Sequence, residues 1–355
     1  MKKIFVDAGE FYTKVWVLDF SSKLNEWQYF GRTFFPTITC EVPEIPEVQK
    51  ELDAQNHQQQ IHYEYNDHFY QVGYDCMEKV NVDHLYNTNN ISQQIQISRL
   101  ILNKVIFDYT IDTEDVALFI VVDSVAKENL FKDIIHNHNT LFITKAYRGV
   151  DKRVIAKRVN IKFQLIWASD GISSLLKDKF DNLPQTLVVD IGHSSSKMYI
   201  IDPLNGLQHF RSLELGMFSY YKKMIKLFLE KEIENINYLW MIKQIELECE
   251  EIEIECNNLK VKHNFDISAL TENFRWDLSK DLKAAIVDFI TFYFSNNSKA
   301  IELLHITGGG AHLFGNIIKA SLITSGYNLQ SIYIEKSPMY DTLYGVVKKQ
   351  TIVKG

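Results

Sequence analysis

The sequence predicts an α/β protein made of two related domains, and three observations carry that expectation. One strand–turn–strand unit occurs twice, as KIFVDAGEFYTKVWVLDF from Lys3 and as TLVVDIGHSSSKMYIIDP from Thr186. The offset is a constant 183, so Val6, Asp7, Gly9, Lys14 and Asp19 match Val189, Asp190, Gly192, Lys197 and Asp202. Short apolar runs of strand length alternate with stretches of helical periodicity along the whole chain. A glycine-rich turn, Thr307-Gly308-Gly309-Gly310-Ala311, joins an apolar strand to a helix pattern. With 355 residues, 46% apolar and 23% charged, the chain is long enough for two cores of ordinary globular composition.

The first unit, Lys3 to Phe20, reads as a strand pair with Glu10-Phe11-Tyr12 at its turn. An apolar run that ends in Asp puts a carboxylate at the mouth of a sheet, and the Gly two positions on lets the backbone turn tightly and approach a ligand. Successive N–H groups in such a turn make a concave anion site, and the carboxylate can hold a hydrated divalent cation on the same phosphates. One copy is weak evidence, because any buried strand ending in Asp-x-Gly fits. Two copies in register suggest a phosphate clamp.

Strand character continues to Phe35, and Cys40 to Gln60, with Pro43, Pro46 and three glutamines, reads as a surface excursion. Ile61 to Tyr65 and His68 to Tyr74 alternate around Asn66-Asp67, a hairpin signal. Ile95, Leu102, Val105 and Ile106 give a helix over Ile91 to Tyr109; a buried strand, Val116 to Val122, and a helix, Lys127 to Ile135, follow. Phe142 to Phe163 is strand-rich and basic, and its Lys145, Arg148, Lys152, Arg153, Lys157, Arg158 and Lys162 read as solvated strand faces in preference to a partner contact. Asp170-Gly171 opens a helix that crosses to the second copy of the repeat. The domain boundaries are therefore placed at 1–168 with 335–355, and at 169–334.

Beyond the second copy, a short turn and strand lead to a helix from Met217 with Phe218, Tyr221, Ile225 and Phe228 on one face, whose N-terminus would offer free N–H groups to a phosphate. The acidic stretch Glu246 to Glu255 alternates, and a turn at Asn257-Asn258 sets Glu255 opposite Lys260 and Glu253 opposite Lys262. Ser268 is the expected N-cap of a long helix carrying Leu270, Phe274, Leu278, Leu282, Ala285 and Phe289. Ile301 to Ile306 reads as a strand ahead of the Gly308 triplet. Strand–helix packing alone does not call for three consecutive glycines, so the triplet reads as bare backbone for a flat ligand or its phosphates. A strand and a last helix containing Asp341 and Gly345 close the chain.

A net charge of −7 argues against a general nucleic-acid-binding surface. Asp7 and Glu10 interrupt the N-terminal apolar run too early for a signal peptide, and no stretch approaches the roughly 18–20 apolar residues of a membrane span. Lys348 to Gly355 is too short and polar for an amphipathic membrane anchor. Cys40, Cys76, Cys249 and Cys256 form no CxxC pair or metal spacing and read as reduced thiols of a cytosolic protein.

Asp7-x-Gly9, Asp190-x-Gly192 and Thr307-Gly308-Gly309-Gly310, in this order, resemble the phosphate-1, phosphate-2 and adenosine motifs of the actin, sugar-kinase and heat-shock-chaperone ATPase superfamily. ITGGGAHLFGNIIKASL, LGMFSYYKKMIKLF and the ending Tyr340-Asp341-Thr342-Leu343-Tyr344-Gly345 are most similar to bacterial plasmid-segregation actins of the ParM type. The resemblance extends over nearly the whole chain. It implies an actin-like, ribonuclease H-like fold around a nucleotide cleft, binding ATP or GTP with Mg²⁺. Carried over, it implies that Asp7 and Asp190 hold the hydrated metal, Lys14 meets the terminal phosphates, and Gly9, Gly192, His193 and Ser194 belong to the phosphate turns. Gly308, Gly309 and Gly310 would flank the nucleoside.

Three departures stand out. Glu10-Phe11-Tyr12 replaces small hydroxyl-bearing residues, whereas His193-Ser194-Ser195-Ser196 keeps three hydroxyls but begins with a bulky His. Trp167-Ala168-Ser169-Asp170-Gly171 lacks the Pro-Glu pair that would orient the attacking water, leaving Asp170 as the candidate and Gln164 as the reserve. The resemblance further implies a bacterial cytoplasmic ATPase that polymerises with itself and reaches plasmid DNA through an adaptor, with no membrane partner and no direct nucleic-acid contact. A small-molecule kinase of the same superfamily and a nucleotide-gated scaffold that does not hydrolyse are the rival readings.

Overall fold

The computed structural model describes residues 1–42, 61–76, 90–136, 141–148, 153–204, 206–229, 242, 252–256, 259–263, 267–296, 301–324 and 331–351. The excursion after Val42, the Asn257-Asn258 turn, Lys152 and Cys249 lie outside these residues, as do the side chains of Ile225, Phe228, Leu270 and Phe274. The chain divides into two compact units, Met1–Gly171 with Val346–Gly355, and Ile172–Gly345.

The first unit holds β1 (Lys2–Ala8), β2 (Tyr12–Ser21), β3 (Glu26–Pro36), β4 (Thr39–Val42), β5 (Ile61–Tyr65), β6 (His68–Val72), α1 (Ile91–Tyr109), β7 (Asp115–Val122), α2 (Val125–His136), β8 (Leu141–Arg148) and β9 (Arg153–Trp167). They form one sheet in the order β3-β2-β1-β7-β9-β8-β5-β6-β4, with β1, β7 and β9 parallel. Alternation sets the faces. Ile4, Val6, Val15 and Val17 point into a core completed by Leu100, Ile101, Val105 and Ile106 of α1, Leu118 and Ile120 of β7, and Phe131 of α2. Phe5 takes the opposite face and stacks on Phe119, with ring centroids 4.7 Å apart. In the β5–β6 hairpin both turn residues, Asn66 and Asp67, have positive φ (49° and 63°), the geometry that keeps a two-residue turn in step with strand twist.

The basic strands β8 and β9 are partly engaged within the unit. Lys145 pairs with Glu64 at 2.7 Å, and the Lys157 ammonium donates to the carbonyls of Phe107 and Thr110 at the end of α1. Arg99 on α1 is buried over the Phe142 ring, 3.6 Å from its centroid, and burial pulls its pKa down to about 9.

Unit two repeats the plan on a smaller sheet. After α3 (Ala168–Lys179), which carries the chain across the boundary, come β10 (Thr186–Ile191), β11 (Ser196–Asp202), β12 (Gly206–Leu213), α4 (Met217–Leu229), a separate hairpin of β13 (Ile252–Cys256) and β14 (Leu259–His263), and α5 (Ile267–Asn296). Then follow β15 (Leu303–Thr307), α6 (Ala311–Thr324), β16 (Ser331–Tyr333) and α7 (Asp341–Thr351). The sheet order β12-β11-β10-β15-β16 matches β3-β2-β1-β7-β9 strand for strand, including the parallel pairs. The hairpins agree residue by residue: Asp7 pairs with Lys14 and Ala8 with Thr13, as Asp190 pairs with Lys197 and Ile191 with Ser196.

In the β13–β14 hairpin Glu253 pairs with Lys262 and Glu255 with Lys260, the register read from charge alternation. Ser268 is not the cap of α5, because the helix begins at Ile267; Leu278, Leu282 and Phe289 of its inner stripe are buried. No helix among the described residues is long and apolar enough to cross a membrane. Cys40 is partly buried and Cys76 is buried.

Candidate functional site

Each unit places one Asp-x-Gly turn at the carboxyl edge of its parallel strands, and the two turns are closed in the same way. Gly9 N–H donates to the Tyr12 carbonyl at 3.1 Å, and Gly192 N–H donates to the Ser195 carbonyl at 3.0 Å. A Cβ at Gly9 would come within 2.8 Å of Tyr12 O, and one at Gly192 within 2.7 Å of Ser195 O, so neither turn has room for a side chain at its glycine. The two glycine amides are therefore taken up in closing the turns.

In the first unit the Asp7 carboxylate sits between two lysines. Lys14 Nζ lies 2.9 Å from Oδ2 and Lys127 Nζ lies 3.9 Å from Oδ1, with all three side chains about five-sixths buried. Burial would push the Asp7 carboxyl up, but Lys14 and Lys127 outweigh it and hold it below its ordinary value, so the group is ionised at neutral pH. The bulky turn residues pack sideways: Phe11 is buried, and Tyr12 meets it edge-on at 4.6 Å and Phe34 at 5.4 Å.

The second turn is backed by α4. Met217 and Phe218, the first residues of that helix, donate their N–H groups to the carbonyls of Gly192 (3.1 Å) and His193 (2.7 Å). These two amides are thus engaged by the turn, and the helix end read from sequence as a source of free donors serves first to hold the turn. The His193 ring lies against Phe218 and Tyr221, at 5.4 and 6.1 Å, and burial lowers its pKa to about 4. Gly216 allows this close approach: a Cβ there would come within 2.7 Å of Ser194 C and of Ser195 N. Of the three hydroxyls, Ser196 is fully buried and donates to the Leu215 carbonyl, while Ser194 and Ser195 remain half-buried.

The Gly308 triplet packs on this same turn. Gly308 has φ +90°, and a Cβ on it would collide with Oδ1 of Asp190 and come within 2.6 Å of Ile191 O; one on Gly310 would collide with the Ile191 side chain. Gly310 N–H donates to Ile191 O at 2.8 Å. Two of the three glycines thus have a packing reason that sequence reading did not supply. Gly309 is exposed with nothing within 4 Å of an added Cβ, so it presents open backbone. Beneath it, Thr307 Oγ1 lies 2.9 Å from Asp341 Oδ2, which is 3.3 Å from His305 Nε2.

Asp170 lies in the first turn of α3, directly after β9, at the edge of the sheet that carries Asp7; it is exposed and pairs with Lys349 of α7 at 3.1 Å. Gln164 lies further down β9, opposite Phe119, in the same row as Phe5 and two positions short of the Asp7 level. Sequence reading assigned no role to Lys127, to Gly216 or to the Asp341 carboxylate. Ile120 and Val125 of the β7–α2 crossover correspond to Ile306 and Ala311 of β15–α6, 186 positions on, so the repeat has Leu313 where the first unit has Lys127 and gives no sequence signal for it.

Magnesium keeps several waters and takes one or two carboxylates together with phosphate oxygens. Hard oxygen donors on an ionised Asp7, beside a turn closed on glycine, suit such an ion. No group of three metal-ligating side chains occurs among the described residues, and a hydrated ion of this kind does not call for one.

No family model and no curated protein matches the sequence. Solved structures do. A non-polymerisable quadruple mutant of pCBH ParM is 15% identical, with 98% of each chain covered and a TM-score of 0.66. Ta0583, an archaeal actin homologue, is 11% identical, with 99% of each chain covered and a TM-score of 0.66. Bacillus thuringiensis ParM with ATP is 13% identical, covering 99% of this chain and 98% of that one, with a TM-score of 0.57. At these identities the likeness shows the fold, and the fold is the actin-like one.

Proposed function

We propose that this chain is a nucleotide-dependent, filament-forming actin-like ATPase that serves plasmid DNA segregation through an adaptor protein. The observation that supports it most is the recurrence of one turn: Asp at the strand end, Gly closing the turn, Lys directly across the hairpin, twice, in two sheets of the same strand order. Structures of similar fold include one of Ta0583 in complex with ADP and one of Bacillus thuringiensis ParM with ATP.

In this reading both turns serve one ATP or GTP. The turn amides and Lys14 take the phosphates, and the Gly308–Gly310 backbone flanks the nucleoside. Asp7 and Asp190 would hold the water shell of a bound Mg²⁺, which supplies neutralisation of phosphate charge. Asp170, or Gln164 in its place, orients the attacking water, so that positioning and charge do most of the work. Nucleotide state then biases the contacts between successive subunits.

High-speed sedimentation with Mg·ATP, Mg·GTP and no nucleotide tests the proposal. A pellet that forms only with nucleotide supports it, and no pellet under any condition overturns the filament part. A scaffold that polymerises without hydrolysis is a second reading, favoured by the ion pair that engages Asp170 with Lys349.

A further inference from the structure

Lys127, a charged group beside Asp7, has no task in the proposed phosphate site. It sits in the first turn of α2, which Ser124 caps by accepting the Lys127 N–H at 3.3 Å. Its ammonium lies 3.9 Å from Asp7 Oδ1 and 3.9 Å from Asp123 Oδ1, beyond hydrogen-bond distance of either, although the side chain is only 15% exposed. Lys14, by contrast, is docked on Asp7 at 2.9 Å. A largely buried ammonium held loosely between two carboxylates keeps its donors available to a third anion.

Its place in the fold says where that anion would be. The chain leaves β1 toward β2 on one side and returns as β7 on the other, which makes the β1/β7 boundary the switch point of this sheet. Ligands of open α/β sheets bind outside the carboxyl ends of the strands at such a point. The equivalent crossover of the second unit, β15–α6, lays Gly308 against Asp190, and Leu313 occupies the position equivalent to Lys127. The two halves thus differ in what reaches the Asp from the neighbouring strand: bare backbone in one, a cation in the other.

We propose that Lys127 is a second phosphate-binding lysine, directed with Lys14 at the terminal phosphates of the nucleotide and making the site selective for phosphate number. The inference rests on the nucleotide reading and deepens it. Titration calorimetry of the full chain with ATP, GTP, ADP and AMP, each with Mg²⁺ and with EDTA, tests it on wild type, Lys127→Gln and Lys127→Arg. Gln keeps most of the length and a donor toward Asp7 and Asp123, so the fold is retained, which thermal melting checks.

The expected result is about tenfold weaker triphosphate binding in Lys127→Gln, the size of one lost charge-assisted hydrogen bond. ADP should lose less, AMP should be unchanged, and Arg should restore most of the affinity. Unchanged triphosphate affinity, an equal loss for all the nucleotides, or tighter Mg·ATP binding because Lys127 only competed for Asp7, would each overturn the assignment. A wild type that binds none of the four overturns the nucleotide reading itself, and this inference with it.

Discussion

Gly308 lies directly against Asp190, so closely that a single methyl group on it would overlap the carboxylate oxygen. The turn after β15 and the carboxylate ending β10 therefore form one packed unit, and the glycine at that position is fixed by sterics as well as by its φ of +90°.

Substitution within the triplet should separate packing from ligand contact. Gly308→Ala is expected to destabilise by ~1–3 kcal/mol, the usual cost of a side chain in a disallowed conformation, with the Asp190 overlap added. Gly309→Ala, at an open position, should stay within about 0.5 kcal/mol of wild type. Urea denaturation of both variants checks this, and a change in nucleotide affinity in Gly309→Ala then reads as contact.

Lys14 should control the ionisation of Asp7. Because the folded pKa lies below the ordinary value of 3.8, Asp7 contributes stability that is present above that pH and lost as pH falls through the folded pKa. In Lys14→Met, burial should move the Asp7 pKa upward, so that the loss begins at higher pH. Carbon NMR titration of the Asp7 carboxyl measures both values.

His193 is neutral near pH 7 and should behave as packing there. Its folded pKa of about 4 lies below the ordinary 6.5, so the folded state resists protonation and stability falls as pH drops through that interval. The full effect is at most ~3 kcal/mol. His193→Phe should remove this pH dependence. Denaturation curves between pH 7 and 4 for the two proteins check it.

Asp170 can be tested without disturbing the fold, because an exposed ion pair is worth under about 1 kcal/mol. Asp170→Asn should melt within a few degrees of wild type, yet lower phosphate release if Asp170 orients the water. Unchanged release in Asp170→Asn with a loss in Gln164→Ala would move the role to Gln164.

The fold was legible wherever the signal is local or repeated. The hairpin repeat is visible because strand alternation forces Asp, Gly and Lys to fixed spacings, and α1 matches its sequence bounds because its apolar stripe is clean. The reasons behind Gly308 and Gly310 were not legible, since they depend on Asp190 and Ile191 from a distant strand. Lys127 escaped notice because its partner lies 120 positions earlier and only the parallel pairing of β1 with β7 brings them together. The Met217 and Phe218 amides read as free donors because no sequence feature announces that a turn will take them.

In the proposed function the two Asp-x-Gly turns act together on one nucleotide. Phosphate release by wild type, Asp7→Ala and Asp190→Ala in Mg·ATP and Mg·GTP tests it most directly. Release by wild type with at least one nucleotide is expected, with a loss of more than about a hundredfold in each variant, the scale of removing one preorganised electrostatic contact. Release that continues at the wild-type rate in either variant would contradict it.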